Sequence, residues 1–214
     1  VEREQDDGDE DPSPYLDYPL KYALAHACEV GKKDARIGHR AAKLLLEFSY
    51  LYRRVSDSVP FLLYDARELA EVLKLDSIDV EAKTNTTYRA VFLLQSALQL
   101  ALQSLIMDYN QLAGQLVARL MVHSDHAQIC SLLHGAKNWK GPANKGQYGW
   151  WCPVTSSYTH AGGVLTCSLS AHKNMLRALC CSSSTNTFAS GGDDSYIYIW
   201  ERKTGEILLK LVGH

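Results

Sequence analysis

The sequence predicts an α+β chain, helical through its first two thirds and built of short strands in its last third. Three observations carry this. Up to Gly135 the apolar residues recur every three or four positions, the spacing of a helix face. Residues 136–163 then break that rhythm with glycine and proline set among Trp139, Trp150 and Trp151. Beyond Val164 come brief β-branched and aromatic runs separated by turn residues, which is strand patterning.

Taken in order, residues 1–17 are an acidic leader. Residues 1–14 alone hold seven acidic side chains and one basic, so a solvated, disordered linker is expected. A helical domain is predicted over residues 18–135. Its first helix covers Pro19 to Val30, with Leu20, Leu24, Ala27 and Cys28 inward and Gly31 as its stop. A second runs from after Asp34 to about Arg54 on a stripe of Leu44, Leu45, Phe48, Leu51, Tyr52 and Val55, with Lys43, Glu47, Arg53 and Arg54 facing away and Gly38 weakening its start. Pro60 opens a third, whose core candidates are Phe61, Leu62, Leu63, Ala66, Leu69, Ala70, Val72 and Leu73.

Thr84 to Met107 is the longest apolar stretch, and its last 18 residues carry no charge. That length reaches the threshold for a membrane span. Gln95, Gln99 and Gln103, however, fall on one stripe, which is costly in lipid, so a helix buried in a bundle is expected and no membrane partner. Asp108 to Asn110 caps a fifth helix reaching Val122, and Ser124-Asp125 caps a sixth that fades at Gly135. Residues 136–163 are a packed linker, its aromatic residues anchoring it to both neighbours. Strands are predicted at Val164 to Ser170, Leu176 to Cys181, Phe188 to Ser190, Tyr196 to Trp200 and Ile207 to Val212, with Lys203-Thr204-Gly205 as the last hairpin turn.

Composition bounds the function. Of 214 residues 46% are hydrophobic and 21% charged, a globular balance, and the net charge of -2 argues against nucleic acid. Cys28, Cys130, Cys152, Cys167, Cys180 and Cys181 form no CxxC pair and no secretory signal is evident. Reduced, mostly buried thiols in a cytoplasmic protein are therefore expected. No chemistry assembles: the chain holds no GxxxxGK[ST] phosphate loop, no GxSxG elbow and no HExxH helix. His126, Cys130 and His134 share one helix face at a spacing of four and are the weak metal candidates. A structural zinc site wants four ligands, so ordinary helix positions are the favoured reading.

The closing stretch is the most specific. His172, Ser190-Gly191-Gly192-Asp193-Asp194, Trp200-Glu201 and Gly213-His214 lie at the spacing of one propeller repeat, and His172 and His214 are 42 positions apart. That spacing would place Asp194 in a tight turn between two strands, where it can accept a hydrogen bond from the His of such a repeat, and Ser190 and Trp200 would extend the network. The stretch resembles a WD repeat. The resemblance implies one blade of a partial β-propeller over residues 164–214, with His172, Ser190, Asp194 and Trp200 as a structural tetrad and Glu201 in place of the usual Asp. It also implies that Val164 to Ser170 is the outer strand closing the ring's last blade.

The helical segments Tyr18 to Ala27, Leu44 to Leu51 and Gln111 to Leu120 look like the helical region that follows the nucleotide-binding module in NACHT or NB-ARC signalling NTPases with C-terminal WD repeats. In that family nucleotide exchange switches the protein into an assembled oligomer, and the propeller senses a ligand or restrains the switch. The resemblance implies a non-catalytic regulatory segment acting through protein partners, with no cofactor of its own and ATP or ADP bound elsewhere in a homo-oligomeric parent. Telomerase-associated scaffolds of ribonucleoproteins combine the same modules and are the alternative. The chain opens on Val1 and stops where a second repeat begins, which predicts a fragment.

Overall fold

The computed structural model describes residues 14–76, 86–141, 150–165, 168–202 and 204–213. Among these described residues it holds seven α-helices followed by a four-stranded antiparallel sheet, the α+β class expected. The two parts are separate compact units, a helical one ending at Thr166 and a sheet one beginning at Cys167.

The helical unit consists of α1 (Pro14–Gly31), α2 (Ala35–Leu45), α3 (Phe48–Asp57), α4 (Val59–Asp76), α5 (Thr86–Met107), α6 (Leu112–Leu120) and α7 (Ala127–Asn138). Most of the leader lies outside the described residues, but α1 already begins at Pro14, inside the expected linker. Proline suits a first helical turn because its missing N–H has no partner there. Pro19 also falls inside the helix, close enough to its start to cost one interior hydrogen bond.

The second predicted helix is two. Leu45, Leu46, Phe48, Tyr50 and Leu51 are all buried, more positions than one face of a straight helix can cover, so the chain breaks at Glu47 and re-aims. Glu47 takes an extended ψ of 121° between the two segments. Asp34 caps α2 by accepting from the Arg36 amide. Gly38 belongs to the packing: a Cβ there would stand 3.3 Å from Val72 of α4, so glycine lets α2 and α4 close on each other.

Two inward and outward assignments reverse. Phe61 is 71% exposed, because α4 buries Leu62, Ala66, Leu69, Ala70 and Leu73, a face that leaves position 61 outside. Arg54, expected in solvent, is 2% exposed between Asp57 and Asp65. Helix α5 supplies the central core with Val91, Leu94, Leu98, Ala101 and Leu105, while Gln95, Gln99 and Gln103 are half-buried along one side. By length and composition α5 is long and apolar enough to cross a membrane, yet 56% of its most apolar stretch is buried within the bundle.

Asp108 caps the 3-10 turn Tyr109–Gln111 that leads into α6, its Oδ1 accepting from the Asn110 amide. A second 3-10 turn, Met121–His123, follows α6, and α7 starts from His126 with no side-chain cap, so Ser124-Asp125 does not cap it. The segment after α7 joins the bundle on its described residues: Ala161 is buried, its amide donates to the Arg119 carbonyl, and the Gly162 amide donates to Ser96. Trp139 packs against Phe48 and Tyr52 and accepts, through its carbonyl, the Trp150 indole N–H at 2.7 Å. Trp151 anchors nothing and is 97% exposed.

In the sheet unit, β1 (Leu176–Cys181), β2 (Thr187–Gly192), β3 (Tyr196–Glu201) and β4 (Ile207–Val212) pair in sequence order, each antiparallel to the next. The expected strand over 164–170 is absent among residues 164, 165 and 168–170, because extended backbone becomes a strand only when a neighbour completes its ladder. Lys203 and His214 lie outside the described residues, and Gly205 closes the last hairpin at φ 73°.

Candidate functional site: a four-residue relay across the sheet

The turn from β2 to β3 is Asp193-Asp194-Ser195. Ser195 adopts φ 62°, and its amide donates to the Gly192 carbonyl at 3.3 Å. This tight reversal leaves the Asp194 carboxylate facing the segment ahead of β1. There Oδ2 accepts the Lys173 amide at 3.0 Å, while Oδ1 accepts the Tyr196 amide at 3.4 Å and meets His172 Nδ1 at 2.9 Å. One aspartate therefore closes its own turn and fastens the strand-preceding segment to it.

The network continues inward. His172 Nε2 lies 2.9 Å from Ser190 Oγ, and the Trp200 indole N–H donates to that same oxygen at 2.7 Å. With Asp194 ionised the hydrogens order themselves: Trp200 donates to Ser190, Ser190 to His172 Nε2, and His172 Nδ1–H to Asp194. Aromatic packing encloses the relay, with His172 edge-on to Tyr198 at 4.8 Å and Phe188 stacked on Trp200 at 5.8 Å. All four residues named from the sequence thus come together in one chain of hydrogen bonds. Burial alone would raise the Asp194 carboxyl, but the His172 ring and the Lys173 and Tyr196 amides outweigh it and hold the group below the ordinary aspartate range.

Aspartate, histidine and serine in this order have the connectivity of a nucleophilic triad. The surroundings differ from what attack requires: Ser190 is 4% exposed, and its oxygen already takes the Trp200 proton while giving its own to His172. The relay is arranged to tie β2, β3 and the segment ahead of β1 together.

Gly192 is the contributor the sequence did not single out. A Cβ on it would stand 2.7 Å from His172 Nδ1 and 2.9 Å from the Met175 carbonyl oxygen, so only glycine allows the imidazole to close on Asp194. Gly192→Ala is expected to displace His172 and destabilise the sheet by about 1 to 3 kcal/mol. Loss of exchange protection at the Trp200 indole N–H, followed by NMR, is the check. The Gly-Gly pair ahead of Asp-Asp is the signal that marks it in retrospect.

The other sequence candidates do not assemble. His126 stands at the start of α7 with both ring nitrogens buried and unpartnered, Cys130 is exposed, and His134 bonds Asn138. Among the described residues no group of three or more His, Cys, Asp or Glu is placed to hold a metal.

The cysteines reverse their expected burial. Cys130, Cys152, Cys180 and Cys181 are exposed free thiols, the last two because β1 is an edge strand; Cys28 alone of the described five is buried, and Cys167 lies outside the described residues. Burial, then the Asp65 and Glu68 carboxylates, push the Cys28 thiol up to about 12. Brief iodoacetamide treatment at pH 8 is expected to label the four exposed thiols and spare Cys28 until denaturant is added, as read by peptide mass spectrometry. Compared with models of protein families, with characterised proteins and with solved structures, the chain matches none.

Proposed function

We propose that this chain is a non-catalytic, protein-interaction segment of a signalling NTPase of the NACHT or NB-ARC kind, in which a helical domain joins a nucleotide-binding module to a WD-type β-propeller. The relay from Trp200 through Ser190 and His172 to Asp194, on four strands paired in sequence order, is the observation that carries this reading. Such a relay spends its polar groups on internal hydrogen bonds and leaves the outer surface for partners.

A lone sheet of this kind also keeps both edge strands and much apolar surface uncovered: Leu176, Leu179, Leu209 and Leu211 are all exposed. That suits a blade meant to sit between others. The helical unit then transmits the state of the nucleotide module, and the assembled parent works in the cytoplasm as a homo-oligomer. The test is the full-length coding frame. A phosphate-binding loop upstream and further His to Trp repeats about 42 residues apart downstream are expected; a frame with neither overturns the reading. An upstream RNA-binding module with salt-dependent RNA binding would instead favour a ribonucleoprotein scaffold.

A further inference from the structure

The helical unit carries a feature that the proposed role does not use. A cavity of about 350 Å³, the size of a small-ligand site, is lined by Asp108, Gln111, Trp139, Trp150, Trp151 and Tyr158 among others. Its aromatic wall is fixed from behind. Trp139 packs at 4.9 Å on Tyr52 and 6.2 Å on Phe48, and Trp150 stands 6.3 Å from Trp139, tied to its carbonyl through the indole N–H. Trp151, in contrast, offers a ring that is 97% exposed.

The charges at the cavity are one carboxylate on its wall and one guanidinium held against that wall. Among the described lining residues Asp108 is the only ionisable acid or base besides tyrosine, and both of that carboxylate's hydrogen bonds, from the Asn110 amide and side chain, fall on Oδ1. The wall already attracts a cation of the chain's own. The Arg119 guanidinium sits 5.2 Å from the Tyr158 ring centroid, held there by Gln115 and by the Thr159 carbonyl. Tyr158 is therefore occupied, while the exposed Trp151 ring and the Asp108 carboxylate also line the cavity.

Aromatic faces carry negative potential and bind alkylated cations, which need no hydrogen-bond acceptors and lose little hydration on entry. We propose that this cavity binds a quaternary ammonium group, as presented by choline or by a trimethylated lysine side chain. The assignment stands apart from the propeller reading, since every lining residue belongs to the helical unit.

The whole chain would be titrated calorimetrically with choline, with its neutral isostere 3,3-dimethylbutan-1-ol, and with a trimethyl-lysine peptide beside the unmethylated peptide. Saturable binding of a quaternary cation is expected, with the neutral isostere weaker by about tenfold or more. Whichever of choline and the methylated peptide binds more tightly names the source of the group. Trp151→Ala and Asp108→Asn are each expected to weaken binding by about tenfold. Both should melt as the unaltered chain does, the first because its ring is bare and the second because asparagine also caps. Tyr64→Ala, an exposed aromatic on α4, should leave affinity unchanged. Equal affinity for choline and the isostere, absence of saturable binding by either cation, or unchanged affinity in both well-folded cavity variants overturns the proposal.

Discussion

Asp194→Ala is expected to unfasten the sheet unit while leaving the helical unit folded. The carboxylate accepts three hydrogen bonds, from His172, the Lys173 amide and the Tyr196 amide, and among the described residues no other side chain accepts from those donors. Alanine frees all three at once, and the loss propagates: His172 loses the acceptor that fixes its Nδ1–H tautomer, so Ser190 and Trp200 lose their order in turn. Exchange of the Trp200 indole proton should accelerate by about tenfold or more, and the sheet should melt before the bundle. Asp194→Asn keeps an acceptor oxygen and should fall between. Unchanged indole exchange in Asp194→Ala would show that the relay contributes nothing to the fold.

Acid gives the same result by another route. The folded Asp194 carboxyl lies below its ordinary value of about 3.9, so its stabilisation is present above that pH and is lost as pH falls through the lower folded value. Sheet unfolding below pH of about 4 should therefore be shallower in Asp194→Ala, which has no such proton to bind. Parallel acid limbs for the two chains would contradict this.

What the sequence revealed and what it hid differ by the range of the interaction. The relay was legible because its four members sit at fixed offsets within one local unit, and a two-residue error in any of them would break the spacing. The strands of the sheet were legible for a similar reason: Tyr196, Tyr198 and Trp200 alternate along β3, and Ser195 and Gly205 occupy turns that need positive φ. Gly192 stayed hidden because its role is a distance to His172, twenty residues away, and nothing in its neighbours announces a missing Cβ. The break at Glu47 was hidden because the apolar stripe runs on through it in register. Only the three-dimensional demand to bury Leu46 and Tyr50 as well makes a straight helix impossible there. Exposure of Cys180 and Cys181 depends on which strand ends up at the sheet's edge, a property of pairing and not of composition.

Arg54 was the most misleading position, and it gives the second large effect. A charged residue on a helix face reads as solvated, yet Arg54 is buried with Nη2 2.8 Å from Asp65 and Nη1 3.0 Å from Asp57, while its Nε has no partner. Burial pushes the Asp65 carboxyl up, and the guanidinium pulls against that shift without cancelling it. The pair therefore locks α3 to α4 at a desolvation cost, and its worth lies in being complete. Asp65→Ala leaves the buried guanidinium with Asp57 as its one remaining carboxylate among the described residues and is expected to destabilise the bundle by about 3 to 5 kcal/mol. Arg54→Met combined with Asp65→Leu removes both charges and fills the space with apolar atoms. Asp57 then still has Lys21, 3.4 Å away. The double variant should recover most of the loss in urea unfolding, whereas a double variant no more stable than Asp65→Ala would mean that the site tolerates no apolar filling and that the ion pair itself stabilises the bundle.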